Sequence, residues 1–357
     1  MGVTAVVLLV ITLATGYLTI HFLNPYAKQF GLVDIPNHRK HHSTPTALIG
    51  GISIYVAILV ASLLYQALDI AMITYLMCST ILVILGVLDA QEDLSPHYRL
   101  IVESIVALGM CFMAGMYLKD LGDLTGSGTI EIQKTGYLLT VIAVIAAINA
   151  FNMIDGIDGL LGITSIITFW TLGALCYRGG NEVGVLFAVI VILALLPYLA
   201  VNLQVPLIKQ AKIFMGDTGS MLIGFTVVWL LVLGTQTQSI NHTSFAAPTA
   251  LWIIAIPLMD MVRVMLGRYF SGKSIFAADR THLHHILLQY NNTKHNALLK
   301  ISALVSTSCL IGVMLEVFNV PDYISLALFL IAFGLYTSVI GYLQKRIIQQ
   351  SLSLNSL

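Results

Sequence analysis

Long apolar stretches, each closed by a short polar segment, recur along the whole chain. Eleven of them reach or approach the roughly 20 residues that a helix needs to cross a bilayer: about 2–23, 47–66, 72–88, 99–117, 137–154, 158–176, 184–202, 214–233, 249–268, 299–317 and 322–342. The period-two alternation of a membrane-embedded strand is absent, which excludes a β-barrel. The pattern predicts an all-α polytopic membrane protein with about 11 transmembrane helices, forming a single integral membrane domain over residues 1–357.

Basic residues orient these helices, because Lys and Arg accumulate on the cytosolic side. With the N-terminus outside (periplasmic in a bacterium) and the C-terminus cytoplasmic, fourteen of the seventeen Lys and Arg residues fall on the inner side; Lys119, Lys134 and Arg178 are the others. The inner segments are then the loops of about 24–46, 89–98, 203–213 and 269–298 and a tight turn at 154–158. They hold eight of the ten histidines, so any chemistry is expected to face the cytosol.

Composition narrows the function. Hydrophobic residues make up 58% and charged residues 10% of the chain, and the mean hydropathy is +0.90. Those values exclude a soluble enzyme and a disordered chain. With 17 basic and 17 acidic residues there is no broad positive field for nucleic acid. Cys78, Cys111, Cys176 and Cys309 lie in or beside apolar runs and read as small buried residues. The first Lys or Arg is Lys28 and no small-residue cleavage site follows the first apolar run, so that run reads as an uncleaved membrane helix.

Five polar constellations interrupt the apolar pattern. In Asn149-Ala-Phe-Asn152-Met-Ile-Asp155-Gly-Ile-Asp158-Gly159, polar side chains recur every third residue at an inner helix end, more than capping requires. Phe214-Met-Gly-Asp217-Thr-Gly-Ser220 opens the eighth span; a carboxylate there can hold Mg²⁺, and unpaired N–H groups suit phosphate. Asp89, Glu92 and Asp93 follow the third span, with His97 and Arg99 next; Arg99 and Glu103 stand at i,i+4 and are spaced to pair. Asp279-Arg280-Thr-His282-Leu-His284-His285 offers a guanidinium and imidazoles for a diphosphate, with a Zn²⁺ site as the rival reading. The strip from Asp34 through Lys40 to Gly51 is basic and His-rich, suited to anionic lipid or a lipid phosphate. Gly267-Arg-Tyr-Phe-Ser-Gly-Lys273-Ser274 matches the P-loop spacing, but no strand precedes it and a nucleotide P-loop is rejected.

Taken together, Pro-Asn-x-Arg-Lys-x-His at 36–42, the 149–159 and 214–220 motifs, Pro-Leu-Met-Asp-Met at 257–261 and the 279–285 motif closely resemble the polyprenyl-phosphate N-acetylhexosamine-1-phosphate transferases over nearly the whole chain. The resemblance implies eleven spans, a bacterial inner-membrane location, and sugar-1-phosphate transfer from a UDP-sugar to a lipid phosphate with release of UMP. His-Leu-His-His, rather than three consecutive histidines, resembles the branch using UDP-GlcNAc and undecaprenyl phosphate in O-antigen or enterobacterial common antigen synthesis. Phospho-MurNAc-pentapeptide translocase, or another UDP-HexNAc-1-phosphate transferase, is the alternative within the family.

The resemblance further implies a Mg²⁺ or Mn²⁺ cofactor on Asp217 and Asn152, and a catalytic set of Asp89, Asp155, Asp158 and Asp217. Substrate-binding positions are Asn149, Asp155, Asp158, Arg280, His282, His284, His285, Lys40 and Arg99. A homodimer is compatible with it. One departure stands out: the family's pair of adjacent aspartates is Asp89-Ala90 here, with Glu92 and Asp93 the nearest other carboxylates. Outside the family, a secondary transporter would need ionisable groups at membrane depth; Asp260 and Glu316 are the candidates, with Arg263 at i,i+3 of Asp260.

Overall fold

The computed structural model describes residues 3–36, 44–64, 69–236, 243–274, 281–290 and 292–355. Apolar residues on every side of most helices leave no wet face, so the helices pack into one bundle. In chain order they are α1 (Val3–Leu23), α2 (Gly50–Leu64), α3 (Ile70–Glu92), α4 (Pro96–Met113), α5 (Thr135–Ile154), α6 (Leu160–Arg178), α7 (Glu182–Asn202), α8 (Gly216–Gln236), α9 (Ala247–Ile253), α10 (Ala255–Phe270), α11 (Leu283–Gln289), α12 (Lys294–Val317) and α13 (Asp322–Asn355). A two-residue ribbon pairs β1 (Val33–Asp34) antiparallel with β2 (Thr46–Ala47).

All eleven predicted segments fall on helices. Among the described residues, eight helices are long and apolar enough to cross a membrane, and nine if α9 and α10 count as one. The described part of α2 is shorter, and α4 opens on the polar Pro96-His-Tyr-Arg99.

Four details depart from the sequence reading. The ninth segment is not one rod: α9 and α10 meet at 79°. Pro257 has no N–H for the carbonyl of Ile253, which removes the hydrogen bond that would carry the helix through. The 89–98 loop shrinks to 93–95, because α3 runs to Glu92 and α4 starts at Pro96, a residue preorganised for a first turn; Asp89 is therefore on a helix. The 269–298 segment contains α11. Finally, α13 does not stop at 342 but continues to Asn355, and its 34 residues span about 51 Å, well beyond a bilayer's apolar core.

At the centre lies α8, almost wholly buried, packed on α2, α3, α5 and α6. Gly86 of α3 makes its N-terminal turn possible: a Cβ at 86 would sit 2.4 Å from Thr218 Cα. The four cysteines are free and buried.

Candidate active site

The 214–220 and 149–159 motifs meet where α8 begins and α5 ends. Asp217 stands in the first turn of α8, where the helix dipole favours a carboxylate. The Asn152 side-chain amide donates to Asp217 Oδ1 at 2.5 Å and to Ser220 Oγ at 2.9 Å. Both residues line a cleft of about 370 Å³. Asp155 and Asp158, on the turn between α5 and α6, line it too, joined by Lys212 from the α7–α8 connection and by His285 and Lys294. The turn is pinned by Asn202, whose side chain accepts from Gly159 N at 2.7 Å and donates to Ile213 O at 2.8 Å. Burial, with the negative charges of Asp217 and Asp158 close by, pushes the Asp155 carboxyl up to about 7.

Asp89 flanks the cleft from α3. Arg99 bridges the two, its guanidinium lying 3.1 Å from Asp89 Oδ2 and 4.0 Å from Asp217 Oδ1. Asp89 also accepts from Leu94 N at 3.1 Å. The Arg99–Glu103 pairing suggested by spacing gives way to this bridge; Glu103, fully buried, instead accepts from Asn149 at 3.0 Å. Asn149 thus stands outside the cleft lining. Glu92 and Asp93 are exposed, while Ala90 packs on the core.

The histidines take three different positions. His282 Nδ1 lies 2.9 Å from Asp260 Oδ2, turned into the protein. Asp260 also accepts from Leu283 N, Tyr336 Oη and Arg263, the last two at 2.9 Å, and Arg263 donates to Thr281 O. His284 is buried against Gly156. Its burial, and the neighbouring imidazoles of His285 and His282, hold its pKa down to about 3, so it is neutral. His285, its ring 4.1 Å from that of His284, is the one that reaches the cleft.

Of the sequence-predicted positions, the cleft gathers Asn152, Asp155, Asp158, Asp217 and His285, with Asp89 and Arg99 at its edge. Lys40, Asp279 and Arg280 lie outside the described residues. Among the described residues no three His, Cys, Asp or Glu side chains are grouped to hold a metal, and His282 is committed to Asp260; Asp279, the carboxylate of the Zn²⁺ reading, lies outside them. The transporter candidates are occupied structurally: Asp260 as above, and Glu316 by Ala246 N, Thr249 Oγ1 and Arg178. Sequence reasoning missed Lys212, Lys294 and the anchoring role of Asp260. Lys212 stood two residues before the 214–220 motif, the one available signal.

Such a bundle, with carboxylates, amides and cations converging on a cleft at helix ends, defines an all-α polytopic membrane protein with a charged cleft. A family model described as glycosyl transferase family 4 matches residues 72–235. The chain is 41% identical over 321 residues to the undecaprenyl-phosphate alpha-N-acetylglucosaminyl 1-phosphate transferase of Yersinia pestis, covering 90% of this chain and 86% of that protein. It is 39% identical to the protein of the same name from Pasteurella multocida (92% and 91% covered) and 41% to that of Escherichia coli K12 (92% and 88%). The chain belongs to glycosyl transferase family 4.

Proposed function

We propose that this protein transfers GlcNAc-1-phosphate from UDP-GlcNAc to undecaprenyl phosphate, giving GlcNAc-diphospho-undecaprenol and UMP. It does so at the cytosolic face of the bacterial inner membrane, with eleven spans and the N-terminus periplasmic. The product is the first lipid-linked sugar of an O-antigen or common-antigen type of glycan. The observation carrying this reading is the convergence of Asn152, Asp155, Asp158 and Asp217 on one cleft, in a chain about 40% identical to transferases of that name.

Phosphoryl transfer between two anions depends on charge neutralisation and in-line placement more than on covalent help. The donor set at the head of α8 is the Asp217 carboxylate and the Ser220 hydroxyl, joined by the Asn152 amide, whose NH2 group faces both and whose carbonyl would face a cation once the amide turned over. It fits Mg²⁺ or Mn²⁺, which takes one or two protein oxygens and completes its shell with phosphate and water. When bound, the ion neutralises charge on the donor diphosphate. Arg99 attracts the lipid phosphate to the membrane edge of the cleft, and Asp89 fixes the guanidinium that does so. An oxygen of the lipid phosphate attacks the β-phosphorus, and the bond from that phosphorus to the bridging oxygen breaks, its electron pair leaving with UMP. The acceptor is already an oxyanion at neutral pH, so no strong base is required.

The test is direct. Purified protein, undecaprenyl phosphate, Mg²⁺ and a panel of UDP-sugars are combined, with UMP release and the lipid product followed by mass spectrometry. UDP-GlcNAc is expected to give both products; UMP release from UDP-MurNAc-pentapeptide alone, or release from none of the UDP-sugars, overturns the assignment.

A further inference from the structure

Resting on that reading and deepening it, we infer that Lys212 and Lys294 form a two-ammonium seat for the diphosphate of the nucleotide-sugar donor, held in place by Asp158 until the donor arrives. Lys212 Nζ lies 2.8 Å from Asp158 Oδ2, and Lys294 Nζ lies 3.9 Å from the same oxygen. Two cations on one carboxylate leave that wall of the cleft with an excess positive charge. Asp217 and Asp155 line the same cleft, so the two ammonium groups are the part of the lining that draws a diphosphate in directly, while the carboxylates need a cation to do so.

These pairs do little for the fold. The side chains of Lys212 and Lys294 are 31% and 51% exposed, and ion pairs so placed contribute little to stability. Lys294 also occupies the first turn of α12, where a cation opposes the helix dipole. An anion entering the cleft offsets that opposition. Lys212 is steadied over the Phe214 ring, 5.3 Å from its centroid, which aims the ammonium without consuming its hydrogens. The two lysines come from the α7–α8 connection and the start of α12, so a diphosphate lying between them ties together two segments far apart in the chain. Binding exchanges the Asp158 carboxylate for phosphate oxygens, and no covalent bond changes. Arg99, on the other flank beside Asp89, is left for the acceptor.

Calorimetric titration of the full-length protein in detergent with UDP, UDP-GlcNAc and uridine tests the seat, comparing wild type with Lys212→Gln, Lys294→Gln and the double variant. Each single change is expected to weaken UDP and UDP-GlcNAc binding about tenfold, the strength of one partly solvated charge-assisted contact, and the pair about a hundredfold. Uridine binding, the KM for undecaprenyl phosphate and the melting temperature should stay put. Unchanged UDP binding in the double variant, an equal loss for uridine, or a rise confined to the lipid KM would overturn the seat. Wild type that binds UDP but not UDP-GlcNAc refutes the proposed function and leaves the seat standing; wild type that binds neither refutes both.

Discussion

Gly156 and His284 touch across the turn between α5 and α6: a Cβ built on Gly156 would stand 2.0 Å from His284 Nε2. The imidazole fills the space a side chain would take, which locks α11 onto the turn carrying Asp155 and Asp158. Gly156→Ala must push one or the other aside. Overpacking of this kind costs about 1–3 kcal/mol. We expect a lowered melting temperature and at least a tenfold loss of turnover, with membrane insertion intact. The double variant Gly156→Ala/His284→Ala, which removes the clash, should recover part of the melting temperature; no recovery would show that the clash is not the cause.

The Asp217–Asn152 contact sets the second expectation. Asp217, with Asn152 beside it, is the cation's proposed seat, so EDTA should silence the enzyme and Mg²⁺ or Mn²⁺ restore it. Asp217→Asn should cut turnover by about two to three orders of magnitude, as loss of one electrostatic stabiliser does, while the protein still folds in the membrane. Mn²⁺ titration followed by electron paramagnetic resonance reads the site without turnover, and a variant that still binds Mn²⁺ normally would refute the seat.

The burial of His284 has a consequence for acid stability. Its pKa is near 3 in the folded protein and near 6.5 when exposed. The unfolded chain therefore takes up a proton that the folded one refuses. The stabilising contribution is complete above pH 6.5 and is lost as pH falls below it, at up to about 1.4 kcal/mol per pH unit. The Asp155 carboxyl, raised to about 7, acts in the opposite sense because the folded protein gains that proton first. The difference between two proteins is therefore what reads His284: in detergent, from pH 8 to pH 5, the melting temperature of His284→Asn should gain on that of the wild type once pH falls below about 6.5. An identical slope in the variant would assign the acid sensitivity to other groups.

Much of this was legible from residue order alone. Twenty-residue apolar runs admit few structures in lipid, because the backbone must satisfy itself, and all eleven landed on helices. The 149–159 and 214–220 motifs were visible because polar groups at helix ends inside such a sequence need a reason to be there. What stayed hidden depends on distance in space. Lys212 and Lys294 are 82 positions apart and share Asp158 only through the packing of α6, α8 and α12. The three histidines looked like one group; in the fold, His282 just ahead of α11 and two residues in its first turn point to Asp260, to Gly156 and to the cleft. Spacing suggested Arg99–Glu103, but an adjacent helix offered Arg99 a better partner in Asp89.

Asp260 is where the sequence offered only a local pair, Arg263 at i,i+3, and the fold added three more partners. Its carboxylate ties α10 to His282 and Leu283 at the start of α11 and to Tyr336 of α13. Arg263 is buried beside it. Removing Asp260 leaves that guanidinium uncompensated, and breaking a buried pair from one side costs about 3–5 kcal/mol. Asp260→Ala should therefore lower the melting temperature sharply. Asp260→Ala/Arg263→Ala should lie above it, since the stranded charge is gone, although α11 is still released. Activity separates the two effects: restored stability without restored turnover would show that Asp260 acts by holding His284 on the turn and His285 in the cleft. Turnover that returns along with stability would mean that Asp260 serves the fold alone.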